Sequence, residues 1–290
     1  MNGILNVLKP TGVTSHDVVG MIRRITGVKR VGHTGTLDPM ASGVLPVCIG
    51  KATRLIEYMT PDRADAKGYH CQMKLGITTD TQDIWGETLS ESANFPTEEE
   101  IRSTLKSFEG KSEQYPPMYS AVKYQGKKLY EYARKGEVLP ADAMKLRKIE
   151  VSRIDVTTVD VQQGLVEFDI LCSGGTYIRT ICHDAGQRLG CGGVMSALVR
   201  TKSCDFIMEE STSLEALQDA AVLPLLPIDY GISRFEKLEL TLENAEKFAH
   251  GLRVPEKDRK GFLRVYAKNS FYGIGRVEKG MLIPCKVIVE

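Results

Sequence analysis

The pattern of apolar and polar positions changes period several times along the chain, and each change predicts an element. Over 14–26, Val18, Ile22 and Ile25 recur on one helical face, Thr14 or Ser15 can cap the start, and Gly27 suits the left-handed position after the end. Residues 69–75 alternate Tyr69, Cys71, Met73 and Leu75 with His70, Gln72 and Lys74, the period of a half-buried strand. Thr97 with Glu100 forms a capping box for a helix expected to stop at Gly110. Strands are predicted at 150–159 and 165–172, where Val166, Phe168, Ile170 and Cys172 alternate with polar residues. The turn Gly174-Gly175-Thr176 then leads into a helix over 177–189, with Ile178, Ile181, Ala185 and Leu189 at helical intervals. A further helix is predicted over 212–221. After Pro224 and Pro227, short strands at 262–267, 271–278 and 281–289 predict a small β-rich C-terminal domain from about residue 233.

Composition narrows the class. A chain of 290 residues, 42% hydrophobic and 26% charged, can form one large domain or a catalytic domain with a small appendix. No stretch approaches the roughly 20 apolar residues of a membrane helix, and the start has no charged leader before an apolar run. No membrane partner and a cytoplasmic location are therefore expected. The cysteines at 48, 71, 172, 182, 191, 204 and 285 are scattered without C-x-x-C spacing, which predicts reduced, mostly buried thiols.

The net charge of +1 hides two basic stretches. Residues 1–54 carry seven Lys or Arg against Asp17 and Asp38; residues 123–153 carry nine against Glu131, Glu137, Asp142 and Glu150. This distribution is compatible with a nucleic-acid face, and equally with solvated surface charge.

Candidate chemistry concentrates in GHTGTLDPMASGVLP, residues 32–46. Three glycines and two prolines there demand a fixed, irregular backbone around one carboxylate, Asp38. On pattern alone Asp38 could simply cap a turn before Pro39. A hydrolytic metal centre would need three or more ligands, and His16, His33, His70, His183 and His250 form no such cluster with it in sequence. Cys182, His183 and Cys191 are better read as packing than as a metal site. No serine or cysteine sits in a nucleophile-elbow context, so Asp38 is the single candidate.

GHTGTLDPMASGVLPVCIGKATRL resembles the catalytic motif of the bacterial tRNA pseudouridine-55 synthases, the TruB family. The likeness extends to Lys9-Pro10-Thr11-Gly12, KGYHCQMKLGITTDTQD at 67–83, YPPMYSAVKYQGKKLYEYARKG at 115–136 and SGGTYIRTICHDAGQRLGCGG at 173–193. It implies an α+β fold: a pseudouridine synthase catalytic domain over 1–232 with a mixed, largely antiparallel sheet and an RNA-clamping insertion at about 115–148. A PUA-like RNA-binding domain over 233–290 would follow. Carried over by position, Asp38 is the nucleophile, Arg179 its partner and Tyr69 the ring that stacks on the target base. His33, Lys9, Tyr177 and Leu198 match RNA- or base-contacting positions. Cys204-Asp205 departs from the Gly-Pro usual in similar enzymes.

The implied reaction is isomerisation of uridine 55 to pseudouridine in the T arm of tRNA, by a monomer with no guide RNA. An N-glycosidic bond is exchanged for a carbon bond to the same sugar, so no cofactor or metal is expected. One carboxylate suffices, whether it attacks the sugar, assists loss of a sugar proton or adds to the ring. A guanidinium such as that of Arg179 would hold it in fixed geometry. Stacking on Tyr69, roughly 1–3 kcal/mol per base, would help offset extrusion of the nucleotide. A non-catalytic RNA-binding module and a guide-dependent synthase are the alternatives. The Asp38, Tyr69 and Arg179 set argues against the first and the short C-terminus against the second.

Overall fold

The computed structural model describes residues 1–60, 63–137, 139–140 and 143–288. A ten-stranded sheet runs in the order Thr212–Ser213, Gly3–Lys9, Ser42–Ile49, Gly193–Ser203, Lys67–Leu75, Leu165–Cys172, Arg147–Asp160 and Gly110–Gln114. Two more strands lie off this path: Val31–His33 pairs with Ser42–Ile49, and Phe206–Ile207 with Gly193–Ser203. The sheet is mixed and largely antiparallel. Gly3–Lys9 with Thr212–Ser213 and Gly193–Ser203 with Ser42–Ile49 are its parallel pairs.

Alternation in Lys67–Leu75 has the predicted outcome: Tyr69, Cys71, Met73 and Leu75 are buried while His70, Gln72 and Lys74 are partly exposed. Val166, Phe168, Ile170 and Cys172 of the neighbouring strand are buried in the same cluster. Two helices contribute to that cluster, Glu98–Lys106 through Ile101 and Leu105, and Ile178–Arg188 through Ile178, Ile181, Cys182 and Ala185. Each fully buried side chain of this size contributes about 1.5–3 kcal/mol. The helix carrying Arg179 is thereby fixed against the strand carrying Tyr69.

Several elements differ from the sequence expectation. The stretch 32–46, expected to be irregular throughout, is so only between His33 and Ser42; beyond it, Ser42–Ile49 is a strand with Gly43 to Ile49 all buried. It gives no alternating signal because both faces are covered. Leu45, Val47 and Ile49 pack with Val18 and Ile22 of the helix Ser15–Thr26, while Val44 and Cys48 pack with Ile4, Met59 and Phe206. The helix begun by the Thr97–Glu100 box ends at Lys106 rather than near Gly110. Tight turns carry the chain from there to Glu109, which accepts hydrogen bonds from Lys106 Nζ at 2.8 Å and from the Ile154 N–H at 2.7 Å, and Gly110 opens a strand. The helix expected over 212–221 spans only Leu214–Asp219, because Thr212 and Ser213 pair with Val7 and Leu8 and Ala220 turns extended.

A five-stranded sheet follows in the order Glu236–Glu239, Gly261–Ala267, Ser270–Glu278, Met281–Val287 and Val254–Pro255. Its three long strands fall where alternation placed them, with residue 289 of the last outside the described residues. It has its own core around Phe248, Val265 and Leu282, and presents Ile274 to Ile4 and Cys48 of the larger sheet and to Met59 of the short helix Ile56–Met59. No helix among the described residues is long and apolar enough to cross a membrane.

Gly43 is a point where the two parallel strands press together. Its φ is +106°, and a Cβ there would lie 2.2 Å from the Arg200 carbonyl oxygen. Gly43→Ala should therefore destabilise the chain by at least about 1–3 kcal/mol, the usual cost of forced overpacking. A urea midpoint equal to that of the parent would contradict this.

Candidate active site

The irregular segment between Val31–His33 and Ser42–Ile49 carries Asp38 to the mouth of a cavity of about 660 Å³. Its shape is fixed from below. Ser15, at the start of its helix, donates through Oγ to the Leu37 carbonyl at 3.0 Å and accepts from the Leu37 N–H at 2.8 Å. Lys9, at the end of the first strand, is 0% exposed and donates through Nζ to the carbonyls of Ala41 (2.6 Å), Pro10 (2.8 Å) and Pro39 (3.5 Å). Arg200, 1% exposed, donates to the carbonyls of Val44 (2.7 Å), Gly35 (3.1 Å) and Thr36 (3.4 Å). Buried backbone carbonyls need donors, and two buried cations supply them on both sides of Asp38.

Arg179 closes the arrangement. From the first turn of Ile178–Arg188 its Nε lies 3.0 Å from Asp38 Oδ2; the Asp38 side chain is 38% exposed and that of Arg179 5%. Nη1 donates to the Thr81 carbonyl at 3.0 Å and lies 3.4 Å from Asp83 Oδ2, while Nη2 donates to the Tyr119 carbonyl at 3.0 Å. Asp83 also accepts from Thr81 Oγ1 at 2.9 Å and from the Trp85 N–H at 3.1 Å. The fork is thus held on both sides, and it can aim Asp38 without turning.

Tyr69, His33, Tyr177 and Leu198 line the same cavity as Asp38 and Arg179. Six of the seven residues singled out from the sequence thus converge. Lys9 does not share the wall: it stands beneath the loop, because the loop carbonyls of Pro39 and Ala41 and that of Pro10, rather than solvent, surround its ammonium. Residues 115–148 add Tyr119, Ser120, Ala121, Lys128, Tyr130 and Arg134 to the rim. Within this segment Lys123–Tyr124 and Lys127–Lys128 form a short hairpin ahead of the helix Leu129–Ala133, and Arg134 stacks 5.2 Å from the centre of the Tyr130 ring. Asp142, counted in the second basic stretch, lies outside the described residues.

Electrostatics follow burial. Burial pushes the Tyr69 hydroxyl up to about 12, so it remains a neutral ring. Burial brings Lys9 down to about 8, with Asp38 opposing the shift and Arg200 adding to it. Lys67, also on the cavity wall, is brought down to about 8 by burial and then by Arg200. Burial raises the Asp83 carboxyl against the pull of Thr81 and Arg179. Asp83, Lys67 and Arg200 were not singled out in the sequence. Asp83 ends the polar run TTDTQD, and Arg200 directly follows the apolar run Ala197-Leu198-Val199, which are weak signals on their own. The Cys182 thiol lies 3.6 Å from that of Cys71 in the core, while Cys191 donates to the Gly192 carbonyl, so these cysteines pack separately.

A mixed sheet thus presents one arginine-held carboxylate and a buried tyrosine to an open cavity flanked by Lys128 and Arg134, an arrangement fit for an enzyme that acts on an anionic substrate. Residues 23–178 match the TruB family pseudouridylate synthase N-terminal domain, residues 179–224 the tRNA pseudouridylate synthase B C-terminal domain, and residues 237–288 the C-terminal domain of pseudouridine synthase II TruB. The chain belongs to the TruB family of pseudouridine synthases. It is 45% identical over 257 residues to a tRNA pseudouridine synthase B of Alkaliphilus oremlandii, covering 88% of this chain and 83% of that one. It is 40% identical to that of Clostridium tetani over 96% of both chains. Among solved structures it superposes on a chain of a Cbf5-Nop10-Gar1 complex with a TM-score of 0.73 at 26% identity, covering 99% of this chain and 85% of that one.

Burial and the nearby Arg200 charge hold the His33 imidazole below its ordinary value, and its Nδ1 accepts from the Gly35 N–H at 3.3 Å, which requires the neutral ring. The unfolded chain would bind a proton near pH 6.5 that the folded site refuses, so this residue makes stability fall as pH drops below about 6.5. An NMR titration should find His33 less than half protonated at pH 6.5. Half-protonation at that pH would contradict the assignment.

Proposed function

We propose that the chain converts uridine 55 to pseudouridine in the T arm of tRNA, acting alone, without guide RNA or cofactor, with Asp38 as the nucleophile. The observation that carries this reading is the Asp38–Arg179 pair at 3.0 Å beside Tyr69 in one cavity. The curated relatives are named for tRNA, and this chain matches them over most of its length.

In the reaction the N1–C1′ bond breaks, a C5–C1′ bond forms, C5 loses its proton and N1 gains one, so nothing enters or leaves overall. The target uridine must leave its stack to reach Asp38. Tyr69 offers a face for the extruded base, and Leu198 and Ile178 supply apolar walls that exclude water. Arg179 keeps the carboxylate aimed while charge develops, at no reorganisation cost because Thr81, Asp83 and Tyr119 already occupy its other donors. Lys128, Tyr130 and Arg134 flank the mouth, where phosphate contacts would position the RNA without reading its sequence. We assign catalysis to residues 1–232, RNA clamping to 115–148 and auxiliary RNA contact to the five-stranded sheet of a 233–290 domain, in a cytoplasmic monomer.

The test is incubation of purified chain with unmodified tRNA transcript and no added cofactor, followed by mapping of pseudouridine. Product at position 55 alone supports the reading; absence of product, or product only elsewhere, contradicts it. In the same assay Arg179→Lys should lower the rate about 10²-fold, since an ammonium keeps the charge but loses the planar fork, and misplacement by about 1 Å costs that much. Near-parental turnover would remove Arg179 from the mechanism.

A further inference from the structure

Arg200 and Lys67 are buried cations for which no carboxylate among the described residues serves as partner. Arg200 reaches three neutral carbonyls, and Lys67, 5% exposed, donates from Nζ to Ser203 Oγ at 2.7 Å. Lys202 Nζ, from the same strand as Arg200, is paired with Asp65 at 3.5 Å, so the nearby exposed charge is satisfied while the buried ones are not. Burying charge without a counter-charge is costly, and two buried cations side by side raise the cost. Their arrangement has a focus. A heavy atom at the Cβ position of Gly35 would lie 3.5 Å from Lys67 Nζ and 3.7 Å from Arg200 Nη1, with nothing else within 4 Å apart from the chain neighbours of Gly35. Gly35, Lys67 and Arg200 all line the cavity that holds Asp38.

We propose that the corner formed by Gly35, Lys67 and Arg200 is an anion subsite that takes a backbone phosphate oxygen of the RNA next to the extruded nucleotide. The proposal rests on the reading of the chain as an RNA-modifying synthase and goes beyond it by naming where the missing counter-charge comes from. Lys67 has ammonium protons not used by Ser203, and the absent side chain at Gly35 leaves the space an oxygen would occupy. Arg200 contributes mainly field, since its donors already hold the Asp38 loop. Binding of the phosphate would thus neutralise the charge that the loop's own support creates, and would seat the nucleotide against that loop.

The experiment measures the Kd of the full chain for tRNA transcript as a function of salt, together with the single-turnover rate at saturating enzyme. Lys67→Met should raise Kd about tenfold and reduce the slope of log Kd against log salt by about one, as loss of one phosphate contact does. Lys67→Arg should recover most of the affinity. Gly35→Ala is a second probe: its Cβ meets only ordinary van der Waals contact, so the chain should keep the parental urea midpoint while the methyl group fills the subsite and weakens binding. In both variants the loss should fall on Kd more than on the saturated rate. An unchanged Kd in either variant, an unchanged salt slope in Lys67→Met, or a loss confined to the saturated rate would overturn the proposal. The last result would place the corner at the base instead of the phosphate. Failure of the broader reading is separate: it would appear as parental chain that forms no pseudouridine, whatever the binding data show.

Discussion

The structure depends most on one guanidinium. Arg179 reaches Asp38 through Nε, the Thr81 carbonyl and Asp83 through Nη1, and the Tyr119 carbonyl through Nη2. Those partners come from the loop before Ser42–Ile49, the segment after Lys67–Leu75 and the insertion beyond Gly110–Gln114, three stretches that share no local structure. Because the fork is planar and keeps its charge, satisfying all of them fixes their relative positions as well as that of the helix they meet on. Losing one partner would leave a buried charge or carbonyl exposed to an apolar surround, so the interactions reinforce one another.

A second constraint lies under the first. The loop bearing Asp38 runs between buried strands, and its carbonyls need donors where water does not reach. Lys9 and Arg200 provide them at the price of two buried positive charges. Those charges favour an anionic substrate, and the Arg200 charge adds to burial in holding the His33 imidazole below its ordinary value. Support for the backbone and electrostatics of the cavity are therefore the same set of side chains, which explains how a protein of net charge +1 presents a cationic pocket to a polyanion.

How much of this was legible in the sequence depends on the kind of signal. Half-buried elements announced themselves by period: the strands at Lys67–Leu75 and Leu165–Cys172 and the helices at Ser15–Thr26 and Ile178–Arg188 all lie where the pattern placed them. Ser42–Ile49, covered on both faces, has no period to read and was hidden behind the glycines and prolines before it. The helix from Glu98 stops at Lys106, and Glu109 beyond it is tied to the Ile154 N–H, a long-range bond that no local rule contains. Asp38 was conspicuous as a lone carboxylate in a constrained loop, and the resemblance added Arg179 and Tyr69, which the structure brings to one cavity with it. Lys9 illustrates the limit: the resemblance matched it to an RNA-contacting position, and only the fold shows that its ammonium is turned inward onto backbone carbonyls. Arg200 and Lys67 were not singled out because their roles arise from neighbours 165 and 136 positions away.

The central claim is that the Asp38 carboxylate performs the chemistry while other residues hold the RNA. It is tested most directly by comparing the parent chain with Asp38→Asn, a change of one atom group that preserves size, in single-turnover reactions with saturating enzyme and in tRNA binding. Neither attack on carbon nor proton acceptance survives that substitution. The account predicts that pseudouridine formation disappears while the Kd stays within a few fold of the parent or tightens as a negative charge is removed. Turnover by well-folded Asp38→Asn within about tenfold of the parent, a barrier change of only about 1.4 kcal/mol, would contradict it.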